Sequence, residues 1–220
     1  MTEVTGVAGT TDAAGVTGTT GGALARVIAR RPGTGPAGDA EHCDVCAAPA
    51  EDGHRHLYDT ARAEVLCACR ACALLFNREA AGDGHYRLVP QRRIRLAPLP
   101  TDGLGVPVGL AFFVVRAGGE VTAHYPSPAG ATQWDVAPES WRETVGRCPP
   151  LATLVPDVEA LLVNTARGRQ DHWITPVDDC FRLVALVRQE WRGLSGGGRI
   201  WPAVERFFSD LAPQGEDPRQ

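Results

Sequence analysis

Two C-x-x-C pairs constrain this chain more than any other feature of its sequence. The first pair is Cys43 and Cys46, and the second is Cys69 and Cys72. In each pair, one tight turn can bring two sulfurs to a metal ion at about 2.3 Å, and the loop between the pairs lets them close a tetrahedron. The sequence therefore predicts that these four cysteines ligate one metal ion.

The sequence leaves the identity of the metal open. Closed four-cysteine sites usually hold Zn²⁺ in a structural role, which makes zinc the favoured ion. The same cage also binds iron in rubredoxin-like proteins, and thiols without metal are a third alternative. Two details depart from the commonest ribbon pattern. Ala47 and Ala73 stand where glycine often follows a pair, and residues 47–68 make a slightly long spacer.

Further potential ligands lie close to the four cysteines in the sequence. Cys67 comes two residues before Cys69, and we expect it to be a packed neighbour of the site, with a spare ligand or a fifth thiolate as the alternative. His54 and His56 alternate on one predicted strand, so their side chains share a face and could chelate a metal together. Because four cysteines are already present, we interpret these two and His42 as surface residues or as partners of the ligands.

Composition divides the chain into four segments and predicts an α+β fold. The first segment is rich in Gly, Thr and Ala and can bury too little apolar surface to fold alone. The second has a predicted hairpin between the cysteine pairs, which is the order of parts in a zinc ribbon. The third has the apolar strands and amphipathic helices of an antiparallel-sheet-plus-helices domain. The segments are a disordered tail at 1–40, the metal module at 41–78, the α+β domain at 86–212 and a loose tail at 213–220.

Periodicity and turn residues locate the individual elements. Asp178 is placed to cap the second helix, and Pro202 falls in the first turn of the third. The predicted strands are His54–Tyr58, Glu64–Ala68, Val108–Arg116, Val121–Tyr125, Val158–Asn164 and His172–Val177. The predicted helices are 137–147, Asp179–Arg192 and one that includes Ile200 and Leu211.

Catalytic and nucleic-acid-binding interpretations have weaker support. Cys180 lies in the first turn of a predicted helix, where the pKa of a thiol can be lowered, but no histidine lies at an evident partner distance. We therefore expect no enzyme. A local positive stretch contains Arg87, Arg92, Arg93 and Arg95, as do the phosphate-binding strands of some zinc ribbons. The formal net charge of −4 argues against a nucleic-acid partner.

The segment YPSPAGAT at 125–132 is the most unusual loop candidate. Pro126 and Pro128 fix its shape, while Gly130 permits close approach of another chain. We interpret it as a rigid loop that binds a partner or lines a pocket, with an ordinary structural turn as the alternative. Trp134 follows the loop and is predicted to be exposed.

The sequence also bears on the compartment. No apolar run approaches the roughly 18 residues of a membrane span, and no basic, then apolar, secretory leader is visible. The chain has seven cysteines, which under these conditions indicate metal ligands and buried thiols rather than disulfides. We expect a cytoplasmic protein.

A set of specific strings runs from Cys43 to Phe208. They are C-D-V-C at 43–46, LCACRACALLF at 66–76, YRLVPQR at 86–92, VPVGLAFFV at 106–114, YPSPAGAT at 125–132, PDVEALLVN at 156–164 and PVDDCFRLVALVR at 176–188, followed by WRGLSGG. Together they resemble an uncharacterised actinobacterial family found in gene clusters of a high-affinity, oxygen-tolerant NiFe hydrogenase. The resemblance supplies a biological context and not a reaction.

The resemblance implies an accessory protein that acts through contacts with hydrogenase subunits or maturation factors. An adaptor or assembly factor is the leading hypothesis, because the metal site adjoins a larger folded domain. A rubredoxin-like electron carrier, with iron in the four-cysteine site, is the alternative within the same context. A nucleic-acid-binding zinc ribbon is the third hypothesis.

Overall fold

A computed structural model describes residues 41–76, 84–105, 109–192 and 198–212. All of them belong to one compact unit, Thr34–Gln220. The tails predicted at 1–40 and 213–220 lie outside the described residues, so they stay predictions. The described residues form nine strands and four α-helices with antiparallel pairing throughout, which confirms the α+β fold class.

The metal module is built on a three-stranded antiparallel sheet. Strands β1 (Arg55–Asp59) and β2 (Glu64–Ala68) form the predicted hairpin, and β1 pairs on its other side with β3 (Tyr86–Leu88). Helix α1 (Arg70–Leu75) follows β2. Leu57, on the central strand, is fully buried. Because β3 comes from the segment predicted as the larger domain, the two segments share this sheet.

The larger sheet has six antiparallel strands. They are β4 (Ile94–Arg95), β5 (Leu110–Val115), β6 (Val121–Ser127), β7 (Gly130–Asp135), β8 (Glu159–Asn164) and β9 (Asp171–Pro176). Their order across the sheet is β4-β9-β8-β5-β6-β7. The four strands predicted in this segment correspond to β5, β6, β8 and β9, with ends that differ by one or two residues.

Helices cover both faces of the larger sheet. They are α2 (Pro138–Arg147), α3 (Val177–Glu190) and α4 (Ile200–Leu211). Side chains alternate across β5, so Phe112 packs in the core with α3 and α4, whereas Phe113 packs in the core with α2. Burial of each such side chain contributes about 1.5–3 kcal/mol to the stability of the fold. The two apolar layers, one on each face of the sheet, therefore both stabilise it.

The YPSPAGAT segment is a tight hairpin, which corresponds to the alternative of a structural turn, and a partner-binding role for it stays a prediction. Pro126 and Ser127 end β6, and Ser127 pairs with Gly130, the first residue of β7. Proline is uncommon inside strands, so the sequence predicts an end of β6 before Pro126. Strand β7 has little apolar alternation and is mostly exposed after Gly130, so periodicity does not indicate it. Trp134 lies on β7 and is 69% exposed, as predicted.

Strand β1 contacts α3 through two side chains. Tyr58 stacks on Phe181 with ring centroids 6.3 Å apart. His56 Nδ1 lies 2.6 Å from Oδ2 of Asp178. The prediction that Asp178 caps this helix is wrong, because the N-cap position is held by Pro176 and Asp178 lies in the first turn. A carboxylate there still interacts favourably with the helix dipole.

Within the part of the chain that the structure describes, no helix has both the length and the apolar character needed to cross a bilayer.

Candidate metal centre

A tight turn positions the first cysteine pair. Cys43 and Cys46 lie between His42 and Pro49, which form a β-bridge that closes the turn. The N–H of Ala47 donates to the carbonyl oxygen of Cys43 at 2.8 Å. Ala47 has a φ of 60°. The alanine therefore adopts the left-handed backbone for which glycine is preferred at this position.

The second pair lies at the beginning of α1. Cys69 occupies the N-cap position, and its Sγ accepts a hydrogen bond from the N–H of Cys72 at 3.5 Å. The carbonyl oxygen of Cys69 accepts from the N–H of Ala73 at 2.9 Å. Ala73 is helical, so only the first of the two turns requires a left-handed residue. The helical turn brings Cys69 and Cys72 to the same side of the module.

The four predicted ligands converge. The sulfurs of Cys43, Cys46, Cys69 and Cys72 all lie within 4.8 Å of one another. Cys46 Sγ and Cys69 Sγ are 3.8 Å apart. Two sulfurs that each lie about 2.3 Å from one tetrahedral ion are about 3.8 Å from each other. No disulfide links any of the seven cysteines. The cluster has the dimensions of a four-thiolate metal site.

The proton affinities of two of these thiols differ strongly. Burial disfavours the Cys43 thiolate, but hydrogen bonds from the backbone at Cys69, Cys46 and Val45 outweigh burial and lower the pKa of Cys43 to about 6. The sulfurs of Cys46 and Cys69, together with burial, raise the pKa of Cys72 to about 12. Without a cation, the cluster therefore holds one thiolate easily and resists the loss of further protons. A bound metal ion supplies the charge that four thiolates require.

The cluster is closed on one side and open on the other. Cys43 and Cys72 are buried, with 2% and 8% of their surface exposed. Cys46 is exposed, and Cys69 is intermediate. A shallow depression of about 260 Å³, lined in part by Cys69 and His54, lies beside the cluster. An ion can therefore reach the site from solvent.

The structure also gathers His54, His56 and Cys67 into a second group, whose ligand atoms lie within 4.8 Å of one another. Cys67 is opposite His56 in the β1–β2 register. The alternation of the two histidines in the sequence predicts that they share one face, but no local pattern joins Cys67 to them. The cross-strand register, which follows from the length of the hairpin, was the signal that could have done so.

His56 is the most perturbed of this second group. Burial alone would lower its pKa, but hydrogen bonds and charge from Asp178 and Cys67 outweigh burial and raise the pKa of His56 to about 10. The His56 ring is therefore protonated at neutral pH and lies between the side chains of Asp178 and Cys67.

The arginines of the predicted positive stretch form ion pairs within the fold. Each of the four arginines forms an ion pair with an acidic residue of the larger sheet, of its connections or of helix α3. The pairs are Arg87 with Asp157 at 3.5 Å, Arg92 with Glu159 at 2.6 Å, Arg93 with Asp179 at 2.6 Å and Arg95 with Asp171 at 3.8 Å. We therefore do not propose nucleic acid as a partner.

Cys180 does not have the lowered pKa suggested by its place in a first helical turn. Its side chain is fully buried, and burial raises the pKa of the thiol well above its usual value, with a further increase from the charges of Asp179 and Asp178. Burial dominates here, because a fully buried thiolate loses its hydration.

The family model described as "Family of unknown function (DUF5947)" matches residues 42–215, which is most of the chain and includes all four cysteines of the cluster. No curated protein and no solved structure matches the chain.

Proposed function

We propose that the chain, which belongs to the DUF5947 family, binds one structural Zn²⁺ ion through Cys43, Cys46, Cys69 and Cys72. The observation that carries this proposal is the convergence of four sulfurs within 4.8 Å of one another, none of them in a disulfide. Thiolate ligands in a tetrahedron suit Zn²⁺, and a closed set of four leaves no position for a substrate. The ion cross-links the first turn to α1 and so stabilises the hairpin between them.

A rubredoxin-like iron site is the second candidate, and the exposure of Cys46 favours it. An exposed ligand brings the edge of the metal site to the surface, where an electron-transfer partner can approach. The same four thiolates bind iron.

Elemental analysis and a visible absorption spectrum distinguish these ions, on protein purified without added metal. We expect one zinc per chain and no visible colour. Iron with thiolate charge-transfer bands that bleach on reduction would contradict the structural zinc site and support electron transfer. A metal-free chain that also fails to take up Zn²⁺ would contradict both proposals. The matched variant is Cys46→Ser, which should lower the affinity for metal, with the buried Cys148→Ser outside the cluster as the control.

We further propose that the zinc-bound module is an adaptor in the assembly of a NiFe hydrogenase, acting in the cytoplasm. The resemblance of the motifs from Cys43 to Phe208 is the support for this context. An exposed apolar pair next to the metal ligands supports a contact role. Leu74 and Leu75 follow Cys72 on α1 and are 69% and 64% exposed. Exposed apolar residues of this kind often mark protein contacts.

Co-purification tests the adaptor proposal. The full chain, tagged and zinc-loaded, is expressed together with a hydrogenase gene cluster, and hydrogenase subunits and maturation factors are identified in the eluate. We expect at least one of them to co-purify, and Leu74→Ser/Leu75→Ser to lose it while retaining zinc. Trp134→Ser is the matched control, since Trp134 is equally exposed but lies on β7 of the other sheet. If none co-purifies with the zinc-loaded chain, the adaptor proposal is wrong.

A further inference from the structure

The hairpin carries a second set of metal-binding side chains. His54 Nε2 and His56 Nε2 are 3.2 Å apart, and Cys67 is paired with His56 across the two strands. Residues two apart on a strand and directly opposite residues on the next strand share one face of the sheet. The three ligand atoms consequently come within 4.8 Å of one another.

Hydrogen bonds fix the orientation of both imidazole rings. His54 Nδ1 lies 3.2 Å from the carbonyl oxygen of Glu51, and His56 Nδ1 lies 2.6 Å from the carboxylate of Asp178. A carbonyl and a carboxylate accept hydrogen bonds, so each Nδ1 must donate. In the neutral rings, the two Nε2 lone pairs then point toward each other. At 3.2 Å a cation is needed between them, either a proton carried by one of the rings or a metal ion that replaces it.

The geometry fits one metal ion between the rings. Two imidazole nitrogens that each lie about 2.0–2.1 Å from a tetrahedral ion are about 3.3 Å apart, close to the separation observed. Metal-bound histidines usually donate their other N–H to a carboxylate or a backbone carbonyl, which are the two partners present here. Cys67 is 6% exposed and provides a sulfur ligand on the buried side.

The opposite side of this group is accessible. The carboxylate Oε2 of Glu41 lies 3.5 Å from His54 Nε2, and the Glu41 side chain is 53% exposed. That distance is close to the spacing of two ligands around one ion, so Glu41 can reach the fourth position.

We propose that His54, His56 and Cys67 form a second metal site that takes Zn²⁺ or another divalent ion that prefers imidazole and thiolate ligands. Its fourth position is filled by the carboxylate of Glu41 or by water. Three protein ligands with an open position characterise sites where the ion reacts or exchanges, in contrast to the closed four-cysteine site. The second site uses none of the four cysteines and does not depend on the role proposed for them.

Asp178 connects this site to the larger sheet. It lies in the first turn of α3 and accepts from His56, so it is a positioning residue that orients a ligand of the ion. Occupancy of the site therefore orders the contact between the hairpin and α3. Asp178→Asn should weaken metal binding without removing a ligand, by about 10–100-fold in affinity.

Zinc X-ray absorption and elemental analysis on the full chain test the proposal. The chain is loaded with Zn²⁺ to saturation, and a metal buffer sets the concentration of free Zn²⁺ at each step. We expect two zinc ions per chain and two ligand shells, sulfur at about 2.3 Å and nitrogen at about 2.0–2.1 Å. His54→Gln/His56→Gln should bind one zinc and lose the nitrogen shell. His85→Gln is the control, because His85 is an exposed histidine outside the group. Circular dichroism confirms that each variant is folded.

The possible outcomes separate the two sites. One zinc per chain with sulfur ligands only would overturn the second site and leave the four-cysteine proposal standing. One zinc per chain with both nitrogen and sulfur ligands would support the second site and contradict the first, provided that His54→Gln/His56→Gln no longer binds this zinc. A nitrogen shell that persists in that variant would mean that other residues supply the nitrogen, and the proposal would be wrong.

Discussion

The ion pair of Arg92 and Glu159 shows what the positive stretch does in the fold. Glu159 begins β8 and has no exposed surface. Nε and one terminal nitrogen of Arg92 donate to its two carboxylate oxygens, each at 2.6 Å. The N–H of Val155 donates to the same carboxylate at 2.8 Å. Replacement of Arg92 by alanine leaves that N–H as the remaining donor to a buried charge.

The expected cost follows from this geometry. Removal of one partner of a buried ion pair costs about 3–5 kcal/mol, because the other charge is left uncompensated. The Arg92 side chain is 39% exposed, so water can enter the space it leaves and reduce the cost to about 2–3 kcal/mol. In a chain of this size each kcal/mol changes the Tm by about 2–4 °C, so Arg92→Ala should lower the Tm by about 4–12 °C.

Thermal unfolding followed by circular dichroism, in buffer with zinc, measures this effect. Arg142→Ala is the matched control, because its pair with Glu139 is exposed on both sides and should contribute less than about 1 kcal/mol. Adding Glu159→Gln to Arg92→Ala removes the unpaired charge and should recover part of the loss. If Arg92→Ala lowers the Tm no more than the control does, the arginine does not stabilise the fold and the reasoning fails.

Three further predictions concern single residues. Ala47→Gly should raise the free energy of unfolding by about 1 kcal/mol, since glycine adopts a φ of 60° without strain, and an unchanged denaturation midpoint would contradict the assigned turn. Burial, with a smaller effect of Arg116, lowers the pKa of His124 from 6.5 to about 4. Between these values the unfolded chain takes up a proton that the folded chain does not, so stability should fall by on the order of 3 kcal/mol as the pH falls through this window. His124→Phe should lose less stability than the wild type over the same range in denaturant titrations. Cys180 should resist alkylation in the native protein and react only on unfolding, and rapid labelling identified by mass spectrometry would refute its burial.

Local patterns were sufficient for much of the fold. The run at Val108–Arg116 predicts β5 because continuous apolar residues suit a strand with helices on both faces. The cysteine spacing predicts the convergence of the four sulfurs because each pair needs only its own turn and the intervening hairpin is short. These features depend on interactions between residues that are close in the sequence.

Contacts between distant residues were not predictable in the same way. His56 and Asp178 are 122 positions apart, and only the packing of the hairpin on α3 brings them together. The sequence predicts the helix but not its partner, and its local pattern indicates a cap at Asp178. The raised pKa of Cys180 has the same origin, because sequence position predicts its place in the helix but not its complete burial. In both cases tertiary packing outweighs a local rule.

The arrangement of the larger sheet has a consequence for how fast the chain folds. Strands β5, β6 and β7 form one set of consecutive hairpins and β8 with β9 forms another, and the two sets meet along β5 and β8. Hairpins with short turns form within about 1–10 μs, whereas the meeting of β5 and β8 must first close the long connection that contains α2. The pairing of Leu110 with Asn164, at one end of this seam, joins residues that are far apart in the chain. We therefore expect the docking of these two hairpin sets to limit the rate of folding, and substitutions along the seam to slow folding more than equally destabilising substitutions in the turns.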